Sequence, residues 1–315
     1  MPAPDLKIVT RTQGNTRAIK DRTVTPAMCR LDFEEVPVIA DAFRRMVRGL
    51  EFDVCEMALS TYVCARALGK RFTALPIFPM RAFHHNAIVC GRHTGIDSPA
   101  GLAHGEVGVN RGYTVTTGVW ARSILQREYG VDLDSITWII SGDEHVAEYK
   151  PPSNVLRMTV GEDMAALVAS GALVAGIGLD PQSAGLRTMI PDAADAAWRA
   201  LRDRGFYPIN HVIVVRDEVL SAHPGLPADL FQAFTRAKRE YVDALEHGRV
   251  AAPTPTDELY LRVMEITGAD PLPYGIAPNL AVLEGFVTDL VRQGIIARPV
   301  SVHGLFHPDT RELAG

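Results

Sequence analysis

Apolar positions along the chain fall into two spacings, one typical of strands and one typical of helices. Short apolar runs predict strands, as in Leu6–Thr10 and Ile209–Val215, where isoleucine and valine recur. Apolar residues at helical spacing predict helices over Val38–Leu50 and over Thr116–Tyr129, which ends at Gly130. Strands and helices alternate from end to end. This alternation indicates an α/β fold with mixed sheets flanked by helices.

The same patterns predict the remaining elements. Further strands are expected over Cys29–Glu35, Phe52–Met57, Phe72–Phe78, His85–Cys90, Glu106–Val109, Ile136–Ile140 and Leu173–Gly176. Further helices are expected over Leu59–Leu68, Met164–Ser170, Ala193–Arg204, Pro227–His247, Asp257–Ile266 and Asn279–Gln293. Gly14–Thr16 and Ser141–Asn154 are expected to be loops because turn residues and polar residues dominate them.

The order of these elements predicts two lobes. A chain of 315 residues favours two domains of ordinary size. One apolar strand near residue 88 leads into the middle of the chain, and another near residue 212 leads back. We therefore expect a discontinuous lobe 1 (residues 1–90 and 211–315), a lobe 2 (residues 91–210) and a two-strand hinge. Junctions of this kind are preferred ligand sites, so a ligand cleft is expected between the lobes.

Composition narrows the classes of partner and location. Hydrophobic residues make up 47% of the chain and charged residues 22%, with a net charge of −5. Nucleic-acid-binding proteins usually have an excess of basic residues, which this chain does not have, so no nucleic-acid partner is expected. The sequence shows neither a secretory signal nor an apolar run of the roughly 18 residues that span a membrane, which favours a cytoplasmic protein without membrane association. The sequence leaves a homo-oligomer open.

Cysteine spacing favours a structural role for the four cysteines. Cys29, Cys55, Cys64 and Cys90 form neither a CxxC pair nor a zinc-like pattern. We expect them to be small buried hydrophobic residues.

Five stretches carry a family resemblance. They read FRRMVRGLEFDVCEMALSTYVCARALG, LPIFPMRAFHHNAIV, GVNRGYTVTTGVWARSILQREYGVDLDSITW, YPINHVIVVRDEVL and DPLPYGIAPNLAVLEGFVTDLVRQGI. Through them, and most specifically through Glu51–His85, the chain resembles the 4,5-dihydroxyphthalate decarboxylase family. That family is itself similar to type II periplasmic binding proteins. The resemblance therefore implies a two-lobed fold of that type.

The chain departs from the family pattern at two places. The family usually has a Pro-Glu-Tyr turn after the strand Glu106–Val109, where this chain has Asn110-Arg111-Gly112-Tyr113. It usually has Arg-His-Ser where this chain has His84-His85-Asn86. Both changes lie where the resemblance places the substrate, so the exact substrate stays open.

The resemblance implies the decarboxylation of a hydroxylated aromatic mono- or dicarboxylic acid, such as 4,5-dihydroxyphthalate. Protonation of the ring at the carbon that bears the carboxylate would be followed by loss of CO2. Such a site needs a cationic clamp for carboxylates, a general acid near the ring and a group that handles the phenol proton. The expected partner is a small anionic aromatic substrate, and the reaction requires no cofactor in principle.

Two arginines are candidates for the clamp. Arg81 follows the strand Phe72–Phe78, which places it at the carboxyl edge of a sheet, where α/β proteins bind ligands. Arg17 follows the strand Leu6–Thr10 and the loop Gly14–Thr16. A guanidinium group matches a carboxylate through two parallel hydrogen bonds. The alternative for each is an arginine solvated at the surface.

Three residues are candidate catalytic groups: His85, His211 and Glu56. Histidine titrates near neutral pH and suits proton transfer. His84 and His85 are expected on opposite faces of an extended segment, so His84 is kept as a substrate-binding candidate. His211 begins the return strand near the predicted hinge, and Glu56 could orient a histidine or take the phenol proton. The alternatives are packed or structural histidines and a surface or hinge carboxylate.

Residues at two predicted helix starts are further substrate-binding candidates. A helix N-terminus presents free N–H groups and partial positive charge to an anion, although threonine and serine also cap helices for structural reasons alone. The candidates are Tyr113, Thr114, Thr116 and Thr117 in one lobe and Ser60 and Thr61 in the other.

No metal is predicted. Asp143, Glu144 and His145 form a polar cluster but have no third ligand at helical spacing, so a divalent metal is only the weaker alternative.

Two other functions stay open. A non-catalytic binding protein for an aromatic or other small carboxylate, as in ABC transporters, would need an export signal or lipobox. A cytoplasmic ligand-sensing module would usually carry a DNA-binding or signalling segment. Neither feature is found in this sequence, which favours the enzyme.

Overall fold

A computed structural model describes residues 3–96 and 98–315 of the chain, so Met1, Pro2 and Asp97 of the predicted lobes lie outside the described residues. The chain divides into two compact units. Unit 1 comprises Met1–Arg81, Ile209–Glu284 and Val300–Gly315, and unit 2 comprises Ala82–Pro208 and Gly285–Pro299. The lobe limits expected from the sequence stay a prediction.

Alternating strands and helices build both units. The first part of unit 1 contains β1 (Asp5–Val9), α1 (Gly14–Lys20), β2 (Arg30–Phe33), α2 (Ile39–Gly49), β3 (Val54–Ala58), α3 (Leu59–Ala67) and β4 (Phe72–Arg81). Unit 2 follows with β5 (Ile88–Gly91), β6 (Glu106–Val109), α4 (Thr116–Tyr129), β7 (Thr137–Ile140), β8 (Val155–Arg157), α5 (Met164–Ser170), β9 (Ala175–Ile177), β10 (Leu186–Thr188) and α6 (Ala193–Arg204). The chain then continues with β11 (Ile209–Arg216), α7 (Asp217–Ala222), α8 (Leu226–Glu246), α9 (Pro255–Thr267) and α10 (Leu280–Arg292).

The sheet of unit 1 has the strand order β2-β1-β3-β11-β4. Strand β1 is parallel to β2 and β3, whereas β11 is antiparallel to β3 and β4, so the sheet is mixed. Every residue of β3 is buried, as expected for a strand covered on both faces. Glu56 lies in the middle of this otherwise apolar strand, so its carboxylate must find its partners inside the protein.

Strand β4 is an edge strand that contains Pro76 and Pro79. Proline has no N–H to donate to a neighbouring strand and is tolerated mainly at sheet edges. The pairing of β4 with β11 accordingly shifts register on both sides of His211. Such irregularities change the direction in which side chains point, and this one falls at a predicted catalytic histidine.

The sheet of unit 2 has the strand order β10-β5-β9-β6-β7-β8. Strand β6 is parallel to β7 and β9, so the carboxyl ends of these three strands lie at one edge. Six residues separate the end of β6 from the start of α4 at this edge, and Gly130 follows the helix with the left-handed φ of 66° common at helix ends. The turn Asn110–Val115 is thereby held between a central strand and a long helix.

Four predicted elements are confirmed with the same first and last residues, namely β6, α4, α5 and α6. The strand predicted over His85–Cys90 is wrong in its first half, because His85–Ala87 form a 3₁₀ turn and β5 starts at Ile88. The predicted loop Gly14–Thr16 is instead the start of α1, which Gln13 and Thr16 stabilise through a capping box. Strands β8 and β10 and helix α7 were not predicted, because each is too short to show a periodic pattern of apolar residues. No helix within the described ranges is long and apolar enough to cross a membrane.

Candidate active site

Glu56 and His211 meet on one face of the unit 1 sheet. The ladder between β3 and β11 places Ile213 opposite Glu56 and His211 opposite Ala58. Because side chains alternate along a strand, His211 is the diagonal neighbour of Glu56 on the same face. His211 Nδ1 lies 2.5 Å from Glu56 Oε1. This pair therefore follows directly from the strand register.

The Glu56 carboxylate is fully buried and takes three further hydrogen bonds. Thr10 Oγ1 and the backbone N–H of Arg11 donate to Oε2 at 2.6 Å and 2.9 Å, and Arg11 Nε donates to Oε1 at 3.1 Å. These donors lie just beyond the end of β1, whose parallel pairing with β3 sets Val9 beside Cys55. With His211, the carboxylate thus has donors from two neighbouring strands, the end of β1 and the start of β11.

The surroundings set the protonation of both groups. Burial alone raises the pKa of Glu56, but the hydrogen bond and charge of His211, with Arg11 and Thr10, outweigh burial and hold this pKa well below its ordinary 4.5. Burial lowers the pKa of His211 below 6.5, and Arg11 adds to this effect while Glu56 opposes it. At neutral pH the pair is therefore a carboxylate and a neutral imidazole.

The tautomer of His211 follows from this pairing. Nδ1 carries the proton because it donates to an ionised carboxylate, which leaves the lone pair on Nε2. Nε2 has no hydrogen-bond partner among the described residues, and 12% of the side chain is exposed. Phe43 contacts the imidazole edge-on, with ring centroids 5.1 Å apart, which fixes the plane of the ring. The arrangement is suited to accepting a proton at Nε2.

The two predicted clamp arginines have different surroundings. Arg17 lies on α1 with its side chain exposed, and it lines a cavity of unit 1 that Arg11 also lines. Arg81 is only 3% exposed, and its Nη2 donates to Asn279 Oδ1. Asn279 in turn donates to the carbonyls of Pro273 and Gly275. Arg81 is thus held in the interior of unit 1, whereas the side chain of Arg17 is exposed.

The turn before α4 already binds a carboxylate. Glu144 accepts hydrogen bonds from the N–H groups of Tyr113 and Thr114 and from Thr114 Oγ1. On the other side, Arg122 donates to the Tyr113 carbonyl at 2.7 Å and its guanidinium lies 3.8 Å from the centre of the Tyr113 ring. The donors predicted at Tyr113 and Thr114 therefore hold an internal carboxylate, which fixes the turn.

The other helix-start candidates lie in first helical turns. Thr116 and Thr117 begin α4, and Ser60 and Thr61 lie in the first turn of α3, where both are buried. Helix α3 follows β3 directly, so its N-terminus lies at the carboxyl end of that strand. Their role in substrate binding stays a prediction.

His85 has a carboxylate partner of its own in unit 2. His85 is fully buried, its Nε2 lies 3.1 Å from Glu128 Oε2, and its Nδ1 has no partner among the described residues. Glu128 also accepts from Arg204 at 2.6 Å. Glu128 lies near the end of α4, about 17 Å along the helix from Thr117 at 1.5 Å per residue. The imidazole therefore points toward the C-terminal end of α4.

The extended segment expected at His84 and His85 is wrong, because a 3₁₀ turn begins at His85. Both histidine side chains are buried. The catalytic assignment of His85 itself stays a prediction.

The structure thus brings together Glu56 and His211 from the predicted set, and it adds residues that sequence reasoning missed. These are Thr10 and Arg11 around Glu56, and Arg122 at the turn before α4. Glu144, considered from the sequence only as part of a polar cluster, accepts hydrogen bonds from this turn. Arg11 could have been predicted, because it directly follows a predicted strand and ligand-binding residues in α/β proteins often lie at the carboxyl ends of strands. Arg122 lies within α4 and carried no comparable sequence pattern.

A metal site has no support in the part of the chain that the structure describes, because no group of three or more His, Cys, Asp or Glu is placed to hold an ion there. In the cluster considered from the sequence, Asp143 pairs with Arg157 at 2.6 Å, and Glu144 is used by the turn before α4.

Solved structures with the same fold include binding proteins and an enzyme. The aliphatic sulphonate binding protein SsuA from Escherichia coli matches with a TM-score of 0.58 at 13% identity, over 98% of this chain and 92% of that chain. A mutant of the desulfurization enzyme DSZB in complex with biphenyl-2-sulfinic acid matches with a TM-score of 0.57 at 17% identity, over 98% and 97% of the two chains. At these identities the likeness concerns the fold alone. The chain has a fold of the type II periplasmic-binding-protein class.

Curated sequences identify the family. No family model matches the chain. A 4,5-dihydroxyphthalate decarboxylase from Comamonas testosteroni is 30% identical over 306 residues, covering 92% of this chain and 90% of that protein. Another from Pseudomonas putida is 33% identical over 163 residues, covering 49% and 60%. The chain therefore belongs to the 4,5-dihydroxyphthalate decarboxylase family.

Proposed function

We propose that this protein decarboxylates a hydroxylated aromatic carboxylic acid, and that 4,5-dihydroxyphthalate is the first substrate to test. The observation that carries the proposal is the Glu56–His211 pair, in which a buried carboxylate orients a neutral imidazole with a free Nε2 lone pair. The chain belongs to a decarboxylase family, and decarboxylation is therefore the reaction in which we propose that this pair acts.

In the proposed reaction His211 acts on the phenol. Its Nε2 takes the proton from a hydroxyl para to the departing carboxylate, and Glu56 stabilises the resulting imidazolium. The electron pair left on oxygen is delocalised into the ring, which raises the electron density at the para carbon. That carbon can then accept a proton that comes from the solvent, and it becomes tetrahedral.

Loss of CO2 follows from the tetrahedral carbon. The bond between the ring and the carboxylate carbon breaks, and its electron pair restores the aromatic ring. The imidazolium returns its proton to the phenolate oxygen. In total one proton replaces one carboxylate on the ring, so 4,5-dihydroxyphthalate would give 3,4-dihydroxybenzoate and CO2. The protonated ring itself accepts the electron pair of the bond that breaks, and for that reason no cofactor is part of the proposal.

The test is turnover of 4,5-dihydroxyphthalate by the purified chain in H2O and in D2O. We expect CO2 release and, in D2O, one deuterium at the vacated ring carbon of 3,4-dihydroxybenzoate. A panel of hydroxyphthalates and hydroxybenzoates covers the alternative substrates. Tight binding of such acids without any CO2 release would overturn the proposal in favour of a non-catalytic carboxylate-binding protein.

A further inference from the structure

Two donors share one oxygen of the buried Glu56 carboxylate. His211 Nδ1 lies 2.5 Å from Glu56 Oε1, and Arg11 Nε donates to the same atom at 3.1 Å. The other oxygen, Oε2, accepts from Thr10 Oγ1 and from the backbone N–H of Arg11. The guanidinium of Arg11 and the imidazole of His211 therefore compete for the negative charge on a single atom.

The Arg11 guanidinium is also held from its other side. Its Nη2 donates to Gln13 Oε1 at 3.2 Å, and Gln13 Nε2 donates to the Pro79 carbonyl at 2.8 Å. Gln13 is itself the N-cap residue of α1. Arg11 is thus fixed between β3 and the start of α1, although 32% of its side chain is exposed. The hydroxyl of Tyr260 interacts with Arg11, but burial raises the pKa of Tyr260 to about 12, so this hydroxyl stays uncharged at neutral pH.

The sum of the charges on these side chains depends on the proton of His211. Glu56 carries one negative charge and Arg11 one positive charge, so the sum is zero only while the imidazole is neutral. Charges inside a protein are least costly when they balance. Without Arg11 the balance would be reached only with an imidazolium. Arg11 therefore favours the neutral imidazole.

Glu56 and Arg11 are the charged groups that act on His211. Strand β4 places Met80 opposite His211, and α2 contributes Phe43, so the other packed neighbours carry no charge. Burial lowers the pKa of His211 most strongly, Glu56 opposes burial, and Arg11 acts in the same direction as burial. The electrostatic effect of Arg11 thus agrees with its position on the shared oxygen.

From this arrangement we propose that Arg11 is a positioning residue for the proposed reaction, because its competition for Glu56 Oε1 makes His211 return the proton that it takes from the phenol. Return of this proton, from Nε2 of the imidazolium to the phenolate oxygen, closes the proposed cycle. Glu56 alone would hold the imidazolium as a tight ion pair and delay that return. The proposal rests on the proposed function, since the base and the proton are those of that reaction.

The first test is an NMR titration of His211 in the full chain, with and without Arg11→Gln. The glutamine variant loses the positive charge and keeps the backbone N–H that donates to Glu56. We expect the pH at which His211 is half protonated to rise by about 1–2 units. The His211 signal is assigned by its absence from His211→Gln. A midpoint that does not move would overturn the proposal.

The second test is the pH profile of kcat/KM for 4,5-dihydroxyphthalate. In Arg11→Gln its acid limb, where kcat/KM falls, should move up by about 1–2 pH units, opposite to the direction expected when Glu56 loses its charge. Much of the rate lost at pH 7 should therefore be recovered near pH 9. Arg11→Lys keeps the charge without the Nε contact, so it should move the limb less, and it serves if the glutamine protein does not fold. A rate lowered by the same factor at every pH would indicate a merely structural role and overturn the proposal.

The matched control is Arg30→Gln. Arg30 also pairs with a carboxylate of unit 1, that of Asp5, but both of these side chains are exposed. This variant should keep the His211 titration and the pH profile of the unmodified chain, and a shift equal to that of Arg11→Gln would overturn the proposal. If the His211 midpoint depends on Arg11 but no substrate releases CO2, the competition for Glu56 stands and the proposed reaction fails.

Discussion

His211 Nδ1 donates to Glu56 Oε1 at 2.5 Å, and Glu56 sits in the middle of a strand whose every residue is buried. A charged group in such a place is costly unless it is fully hydrogen bonded. Thr10 and Arg11 complete its set of donors from the adjacent strand. The carboxylate is therefore kept ionised in the interior, and its orientation fixes which nitrogen of His211 carries the proton.

Glu56→Gln should lower kcat by roughly 100- to 1,000-fold. The amide removes the negative charge that stabilises the imidazolium, and its NH2 group can donate to Nδ1 and so move the proton to Nε2. The free energy of unfolding should fall by about 1–3 kcal/mol, because the buried donors of Thr10 and Arg11 lose a charged acceptor. Steady-state kinetics and urea unfolding measure the two effects. Turnover equal to that of the unmodified chain would remove Glu56 from the mechanism.

His211→Gln should lower kcat by roughly 100- to 10,000-fold and leave phthalate binding measurable, because the change removes the proton acceptor but no positively charged side chain. CO2 release and calorimetry separate the two properties. His247→Gln is the control, since His247 is exposed on the surface and should have unmodified kinetics. If both variants turn over alike, His211 is not the base.

The pH dependence of stability follows from the direction of two pKa shifts. The pKa of His211 is lowered in the folded chain, so below pH 6.5 the unfolded chain binds a proton that the folded chain does not. The pKa of Glu56 is also lowered in the folded chain, so below pH 4.5 the unfolded chain again binds a proton that the folded chain does not. The free energy of unfolding should therefore decrease as the pH falls from 7.5 to 5.5, and His211→Gln should weaken this decrease. Urea unfolding at the two pH values checks it. A stability that rises on acidification would contradict the assignment.

The lowered pKa of His211 also predicts how kcat/KM falls at acidic pH. Catalysis requires neutral His211, so kcat/KM should be retained to below pH 6.5 before it falls. In Glu56→Gln the limb should move to lower pH, because Glu56 is the group that raises the pKa of His211 against burial. A merely structural role for Glu56 would leave the limb where it is.

Gly112→Ala tests the turn that Glu144 holds. A Cβ at Gly112 would lie 2.6 Å from Glu144 Oε2, so the carboxylate would have to leave the N–H groups of Tyr113 and Thr114. We expect a loss of about 1–3 kcal/mol in the free energy of unfolding. Gly304→Ala is the control, since its Cβ would meet Ser301 at an ordinary 3.7 Å. Equal stability of the two variants would show that the turn adapts.

Local sequence patterns predicted much of the secondary structure and few of the side-chain partners. Helix α4 could be predicted to the residue because a long periodic segment ends at Gly130. The turn at His85 could not, because its apolar run suits a strand and only the packing of unit 2 decides otherwise. The partners Glu128 for His85 and Glu144 for Thr114 lie 43 and 30 residues away, and nothing in a local pattern specifies such a pairing.

The sequence by itself determined the α/β class, the family resemblance and the residue types able to move a proton or bind an acid. It placed Glu56 on a strand and His211 at the start of another, but these positions lie 155 residues apart. Only the tertiary structure decided that β3 and β11 are neighbours and that their register makes the two side chains diagonal partners. The physical reason is that strand pairing is a long-range choice with a side-chain period of two. A slip of one residue would turn His211 to the opposite face of the sheet.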